Sequence, residues 1–319
     1  MNHIQSTDRQ LFYSRKDPTD PRMGQYVQGG TFASIEPNSW CIFGYPDDEG
    51  VQLNGGRVGA AAGPQKIRHY LYRMTLDLRH IDTPKIFDCG DLKPQDLPLL
   101  ERHALGRQSC HQVLKGGARW LGLGGGHDYG YADVSGFLSA QKSTSEKPLV
   151  INFDSHLDVR SAQVNANSGT AFRRLIEEFN NFDLLEIGIQ SHCNSRQHLK
   201  WFEDRGGFTL TLDQILQSKL SSREVIWQFL SQHLKKSRAV FISIDIDAFS
   251  SAYAPGCSQS WATGLNPNDI LPMIDAIAEH SNLQAAGIYE VAPNLDQDDQ
   301  TAKFAAILAH RIVNQKARS

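Results

Sequence analysis

Short apolar runs rich in β-branched and aromatic residues alternate along this chain with longer stretches whose apolar residues recur at helical spacing. Runs at 40–44, 85–91, 120–123, 149–153, 184–189, 208–212, 239–244 and 283–291 predict strands, bounded by glycine, proline or charge. Helices are expected between them, over about 64–74, 96–115, 128–140 and 225–235. Another opens at Asn266-Pro-Asn-Asp, and a last one runs from about 298 to 313. Strands alternating with helices throughout predict an α/β fold with a largely parallel sheet covered on both faces. Residues 1–39 are polar, carry Pro18, Pro21 and Pro37, and show little periodicity. They read as an irregular N-terminal arm, suited to a lid or a subunit contact. No repeat, low-complexity tract or composition break divides the remainder, so 40–319 is expected to form a single domain.

The ends of three runs carry the chemistry. Residues 149–153 lead into Asp154-Ser-His156-Leu-Asp158, and 239–244 into Asp245-Ile-Asp247. Trp120-Leu-Gly-Leu-Gly-Gly-Gly leads to His127. Side chains spaced by two in an extended segment share a face, so Asp154, His156 and Asp158 are expected to converge. One such triplet is also what a strand running into a polar loop looks like. Three are hard to explain as solvated surface, because ligands of open α/β sheets bind beyond the carboxyl ends of the strands.

A pair of divalent ions fits these residues, with His127, Asp154, Asp158 and Asp245 around one and Asp154, His156, Asp245 and Asp247 around the other. Two aspartates must then be shared, since six side chains cannot give each ion four ligands of its own. The carboxylate-rich set favours Mn²⁺ over Zn²⁺, and no cysteine stands at the spacing of a closed structural zinc site. Ions about 3.5–4 Å apart present hydroxide at neutral pH from a shared water. That hydroxide needs an electrophile. Glu290, in Ile-Tyr-Glu-Val past the last run, can hold a cationic amidine or guanidine through paired N–H···O bonds. Arg57, in Asn54-Gly-Gly-Arg57-Val-Gly, is a candidate contact for a substrate anion, although a lone arginine in a glycine loop is more often ordinary surface.

Composition narrows the partner. An apolar fraction of 40% and a net charge of −3 give no electrostatic footprint for nucleic acid or an anionic membrane, so an anionic ligand, here a small-molecule substrate, must be met by a local pocket. No apolar run is long enough to span a bilayer, and the N-terminus lacks a secretory pattern. The five cysteines are scattered without C-x-x-C spacing, as expected for reduced thiols in a cytoplasm.

Gly-Gly-Gly-His127, Asn-Phe-Asp154-Ser-His156-Leu-Asp158 and Ser-Ile-Asp245-Ile-Asp247 together resemble the three metal motifs of the ureohydrolase (arginase) superfamily. The resemblance runs from about residue 40 to the C-terminus. It implies a three-layer α/β/α domain with a mostly parallel sheet of about eight strands, two Mn²⁺ per subunit, a homo-oligomer, and hydrolysis of a C–N bond in a linear amidine. It further implies that Asp154 and Asp245 bridge the ions, that Asp158 relays a proton to the departing amine, and that Glu290 orients the substrate cation.

Within the superfamily the details resemble formimidoylglutamases, which cleave N-formimidoyl-L-glutamate to L-glutamate and formamide in histidine degradation. Asp48-Glu-Gly-Val with Asn54-Gly-Gly-Arg57 is similar to their N-terminal loop. Arg160 follows the metal motif directly, and Arg57 and Arg160 would suit a substrate with two carboxylates. Ser168 and Gly169 stand where arginases carry Asn and a catalytic His, and are expected at the substrate. Asp128 after His127, where formimidoylglutamases often carry Glu, and Gln259-Ser-Trp-Ala-Thr depart from the pattern near the pocket. The alternatives are a guanidine hydrolase of the arginase, agmatinase or guanidinobutyrase kind, and a metal-binding protein without catalysis.

Overall fold

The computed structural model describes residues 3–78, 83–94, 97–141 and 146–316. Ten strands form one sheet: β1 (Ile4–Gln5), β2 (Val27–Gly29), β3 (Trp40–Gly44), β4 (Ile86–Leu92), β5 (Arg119–Leu123), β6 (Leu149–Phe153), β7 (Asp183–Ile189), β8 (Phe208–Thr211), β9 (Ala239–Asp245) and β10 (Asn282–Tyr289). Ten α-helices accompany them among the described residues: α1 (Glu49–Leu53), α2 (Gly63–Leu71), α3 (Leu99–Lys115), α4 (Asp128–Ala140), α5 (Ala171–Glu178), α6 (Arg196–Glu203), α7 (Leu212–Gln217), α8 (Ser222–Ser231), α9 (Pro267–His280) and α10 (Gln300–Val313).

The strand order is β1-β4-β3-β5-β10-β9-β6-β7-β8, and β3 to β10 are all parallel. A strand covered on both faces alternates between two cores rather than between core and solvent. Trp40 and Ile42 of β3 belong to one core with Ile67 of α2, Ile270 of α9 and Ala305 of α10, while Cys41 and Phe43 belong to the other with Val113 of α3, Phe137 of α4 and Phe172 of α5. The result is the expected three-layer α/β/α arrangement.

The arm departs from its sequence reading. β1 pairs antiparallel with the end of β4 (Ile4↔Leu92) and β2 pairs parallel with its start (Val27↔Ile86), so the arm is not irregular throughout and the sheet exceeds eight strands. Thr7 Oγ1 donates to Asp88 Oδ1 at 2.6 Å, and the buried Arg68 holds both Asp88 (2.8 Å) and Asp91 (2.6 Å). The predicted helix start near Asp96, like part of the linker before β6, lies outside the described residues. α7 begins where a strand was expected to end, because Thr211 and Gln214 form a reciprocal capping box.

Candidate metal centre and pocket

β5, β10, β9 and β6 are neighbours at the middle of the sheet, and their carboxyl ends carry every cluster residue. Beyond β5, the glycine turn lets the backbone pass where no side chain fits: a Cβ on Gly125 would lie 1.6 Å from the carbonyl oxygen of Asp47. His127 then caps α4, its ring stacked on Tyr289 (4.9 Å) and edge-on to Phe172 (5.5 Å). Its Nε2 meets Ser243 Oγ at 2.9 Å, so Nδ1 turns to Asp154 Oδ2 (3.1 Å), Asp158 Oδ2 (3.0 Å) and Asp245 Oδ2 (3.2 Å). Across from it, His156 Nδ1 faces Asp247 Oδ2 at 3.0 Å and Asp154 Oδ1 at 3.6 Å.

The convergence has a different origin from the one alternation predicts. Residues 154–158 are not extended: the chain bends at Ser155 and His156, and Asp158 takes a left-handed backbone (φ 48°). Asp154 Oδ1 accepts the His156 N–H at 2.7 Å, and Asp245 Oδ1 accepts the Asp247 N–H at 2.9 Å, so both motifs are tight side-chain-to-backbone turns. The second turn aims the free oxygen of Asp245 at His127. Two ligand groups result: His127, Asp154, Asp158 and Asp245, and Asp154, His156 and Asp247. Asp154 belongs to both, whereas Asp245 joins the first alone.

Divalent ions fit these groups. His127 Nδ1 is buried without a hydrogen-bond partner, although three carboxylate oxygens surround it. Burial pushes the Asp245 carboxyl well above its usual range, and Asp247 and Asp154 push it further, against the pull of His127. Four carboxylates, three of them buried and Asp158 partly so, crowded on two imidazoles are the donor set that a pair of cations relieves, and the oxygen-rich chemistry is that of a hard or borderline metal.

A cavity of about 400 Å³ opens above the cluster. Its acids, Asp158, Asp245, Asp247 and Glu290, all lie at the metal end. Glu290, also left-handed (φ 64°), accepts the His127 backbone N–H on Oε1 at 2.9 Å, and its Oε2 has no partner among the described residues. Arg160 and Ser168 line the wall, joined by Asn54, whose side chain accepts from Arg160 (3.0 Å) and donates to Ser168 (3.0 Å). Gly169 does not line the cavity; its carbonyl accepts from the Arg160 N–H at 2.9 Å, and a Cβ there would press on Arg160 and Asn54 at 3.0 Å. Arg57 is not brought to the cavity either. Its guanidinium donates to the carbonyls of Ser258 (2.9 Å) and Cys257 (3.0 Å), which ties two loops together beside the cavity.

Sequence reasoning missed Asn54 and Ser243. The signal for Ser243 was present, since it precedes Asp245 by two on one strand and so shares its face. Asn54 carried no signal beyond its glycine neighbours.

The model of the arginase family matches residues 38–314. The chain belongs to the arginase family. It is 30% identical over 286 residues to the formimidoylglutamase of Clostridium tetani, covering 88% of this chain and 83% of that one. To the formimidoylglutamase of Staphylococcus carnosus it is 31% identical over 276 residues, covering 86% and 85%. The crystal structure of Trypanosoma cruzi formiminoglutamase with Mn²⁺ superposes with a TM-score of 0.78 at 27% identity, over 92% of this chain and 97% of that one. This arginase-family chain is accordingly a metal-dependent hydrolase of carbon–nitrogen bonds.

Proposed function

We propose that this protein hydrolyses N-formimidoyl-L-glutamate to L-glutamate and formamide, with two Mn²⁺ per subunit. The observation that carries the reading is the polarity of one cavity: every lining acid lies at the metal end, and Arg160, braced by Asn54, stands on the wall. An amidine cation with a carboxylate-bearing tail matches that gradient. The names of the relatives support the same substrate.

His127, Asp154, Asp158 and Asp245 would hold one ion, and Asp154, His156 and Asp247 the other. When bound, the ions supply a water acidified to hydroxide at neutral pH. Glu290 Oε2 accepts an N–H of the formimidoyl group and keeps its carbon over the cluster. Arg160 pairs with a substrate carboxylate, and Ser168 offers a hydroxyl beside it. The water oxygen bonds to the formimidoyl carbon, the bond from that carbon to the glutamate nitrogen breaks, and Asp158 passes a proton released by that water to the departing nitrogen. The products are formamide and the free amine of glutamate.

The test is Mn²⁺-activated turnover of N-formimidoyl-L-glutamate beside L-arginine, agmatine and guanidinobutyrate, following glutamate, formamide and urea. Glutamate with formamide is the expected result. Release of urea would replace the substrate with a guanidine, and two bound ions with no turnover of any of the four would overturn the reading.

A further inference from the structure

Glu186 is a buried acid that neither the reaction nor an ion pair among the described residues explains. It interrupts the apolar run Leu184-Leu-Glu-Ile of β7, is fully buried, and pairs with no cation among the described residues. Its neighbour across the sheet is Asn152 of β6, the residue directly in register with it. Asn152 Nδ2 donates to Glu186 Oε2 at 2.8 Å and to Asp154 Oδ2 at 3.2 Å. Both amide hydrogens are thereby spent on carboxylates. Turned over, the amide would set its carbonyl oxygen against two acids, so the two acceptors together fix which way Asn152 points.

We propose that Glu186, acting through Asn152, is the positioning residue for Asp154, the acid common to both metal groups. Each oxygen of Asp154 is then anchored by one N–H. Oδ1, on the His156 side, takes the His156 backbone N–H at 2.7 Å; Oδ2, on the His127 side, takes Asn152. The two anchors differ in kind. The first is built into the local turn, while the second depends on a side chain held from another strand. A carboxylate buried without a counter-ion is costly, and burial together with the nearby Asp154 pushes the Glu186 carboxyl well above its usual range. An apolar residue would fill β7 more cheaply, so the position is explained by what Glu186 holds rather than by packing.

Loss of the Glu186 acceptor frees the Oδ2 anchor and leaves the Oδ1 anchor intact, so the two ions are affected unequally. This rests on reading the cluster as a metal pair, and the experiment needs no substrate: Mn²⁺ titration of the full-length protein, scored by stoichiometry, affinity and the exchange-coupled paramagnetic signal of paired ions. Glu186→Leu is expected to weaken one ion about 10–100-fold while the other stays within about twofold. Glu186→Gln, which keeps an acceptor for Asn152, should retain both. Asn152→Ala should reproduce the unequal loss, and the double variant should be no worse than Asn152→Ala, because the two residues act in series. Two ions bound by Glu186→Leu with parental affinity, or equal weakening of both, would overturn the proposal. Should Glu186→Leu not fold, Asn152→Ala decides by the same criterion. A parent protein that binds no ion pair would instead sink the metal reading itself, which separates the two failures.

Discussion

The backbone N–H of His127 donates to Glu290 Oε1 at 2.9 Å, tying the loop after β5 to the residue after β10 across their paired strand ends. One oxygen of Glu290 is thus committed to the frame and the other is left for a ligand. Glu290→Gln keeps a carbonyl for His127 but loses the charge that an amidinium meets. Both Mn²⁺ should remain and kcat/KM should fall about 10²-fold, the scale of one charge-assisted hydrogen bond. Steady-state kinetics with metal analysis decides; undiminished kcat/KM would remove Glu290 from the reaction.

Asp154 and Asp245 both face His127 Nδ1. Replacing either with Asn should abolish metal pairing and turnover together. A variant that keeps two ions and parental activity would defeat the ligand assignment. Chelation of the parent should likewise stop turnover, with Mn²⁺ restoring it.

The strand-end chemistry was legible because a parallel sheet makes it so: apolar runs locate the strands, and the polar residue just past each run marks the ligand edge. What was not legible depended on distant partners. β1 and β2 are too short to show a period and exist only as additions to β4. Arg57 reads the same whether it meets a carboxylate or the carbonyls of Cys257 and Ser258, and only the fold brings those carbonyls to it. Glu186 was a visible anomaly, a charge in mid-strand, whose meaning needed the register with Asn152.

Arg57 and Arg160 should therefore separate in kinetics. Arg160→Ala is expected to raise KM for the dicarboxylate about tenfold or more with both ions retained. That effect should shrink for an amidine lacking the carboxylate. Arg57→Ala should shift KM for the two substrates by the same factor, since it disturbs a loop rather than a contact. Selective loss of the dicarboxylate in Arg57→Ala would return it to the pocket.

A pH prediction concerns the support beneath the His127 ring. Asp133 of α4 accepts from Tyr45 (2.5 Å) and Trp120 (3.0 Å) on Oδ1 and from Tyr289 (2.7 Å) on Oδ2. Tyr289 in turn stacks on His127. Burial pushes the Asp133 carboxyl from 3.8 up to about 7, and the three donors offset only part of that. A carboxyl whose pKa is higher folded than unfolded binds its proton more tightly in the native state. Its contribution to stability is therefore full below about pH 4 and is lost as pH rises through about 7. The full span is on the order of 4 kcal/mol. Asp133→Asn removes the titration while keeping a carbonyl for Tyr45 and Trp120, and the Tyr289 hydroxyl can turn to accept from the new amide. Denaturant unfolding of both proteins at saturating Mn²⁺ should show the parent losing stability relative to Asp133→Asn between about pH 4 and 7 and levelling off above that, a window set by the shift from 3.8 to about 7. A difference that stays flat across that range would mean that the three donors hold Asp133 ionised throughout.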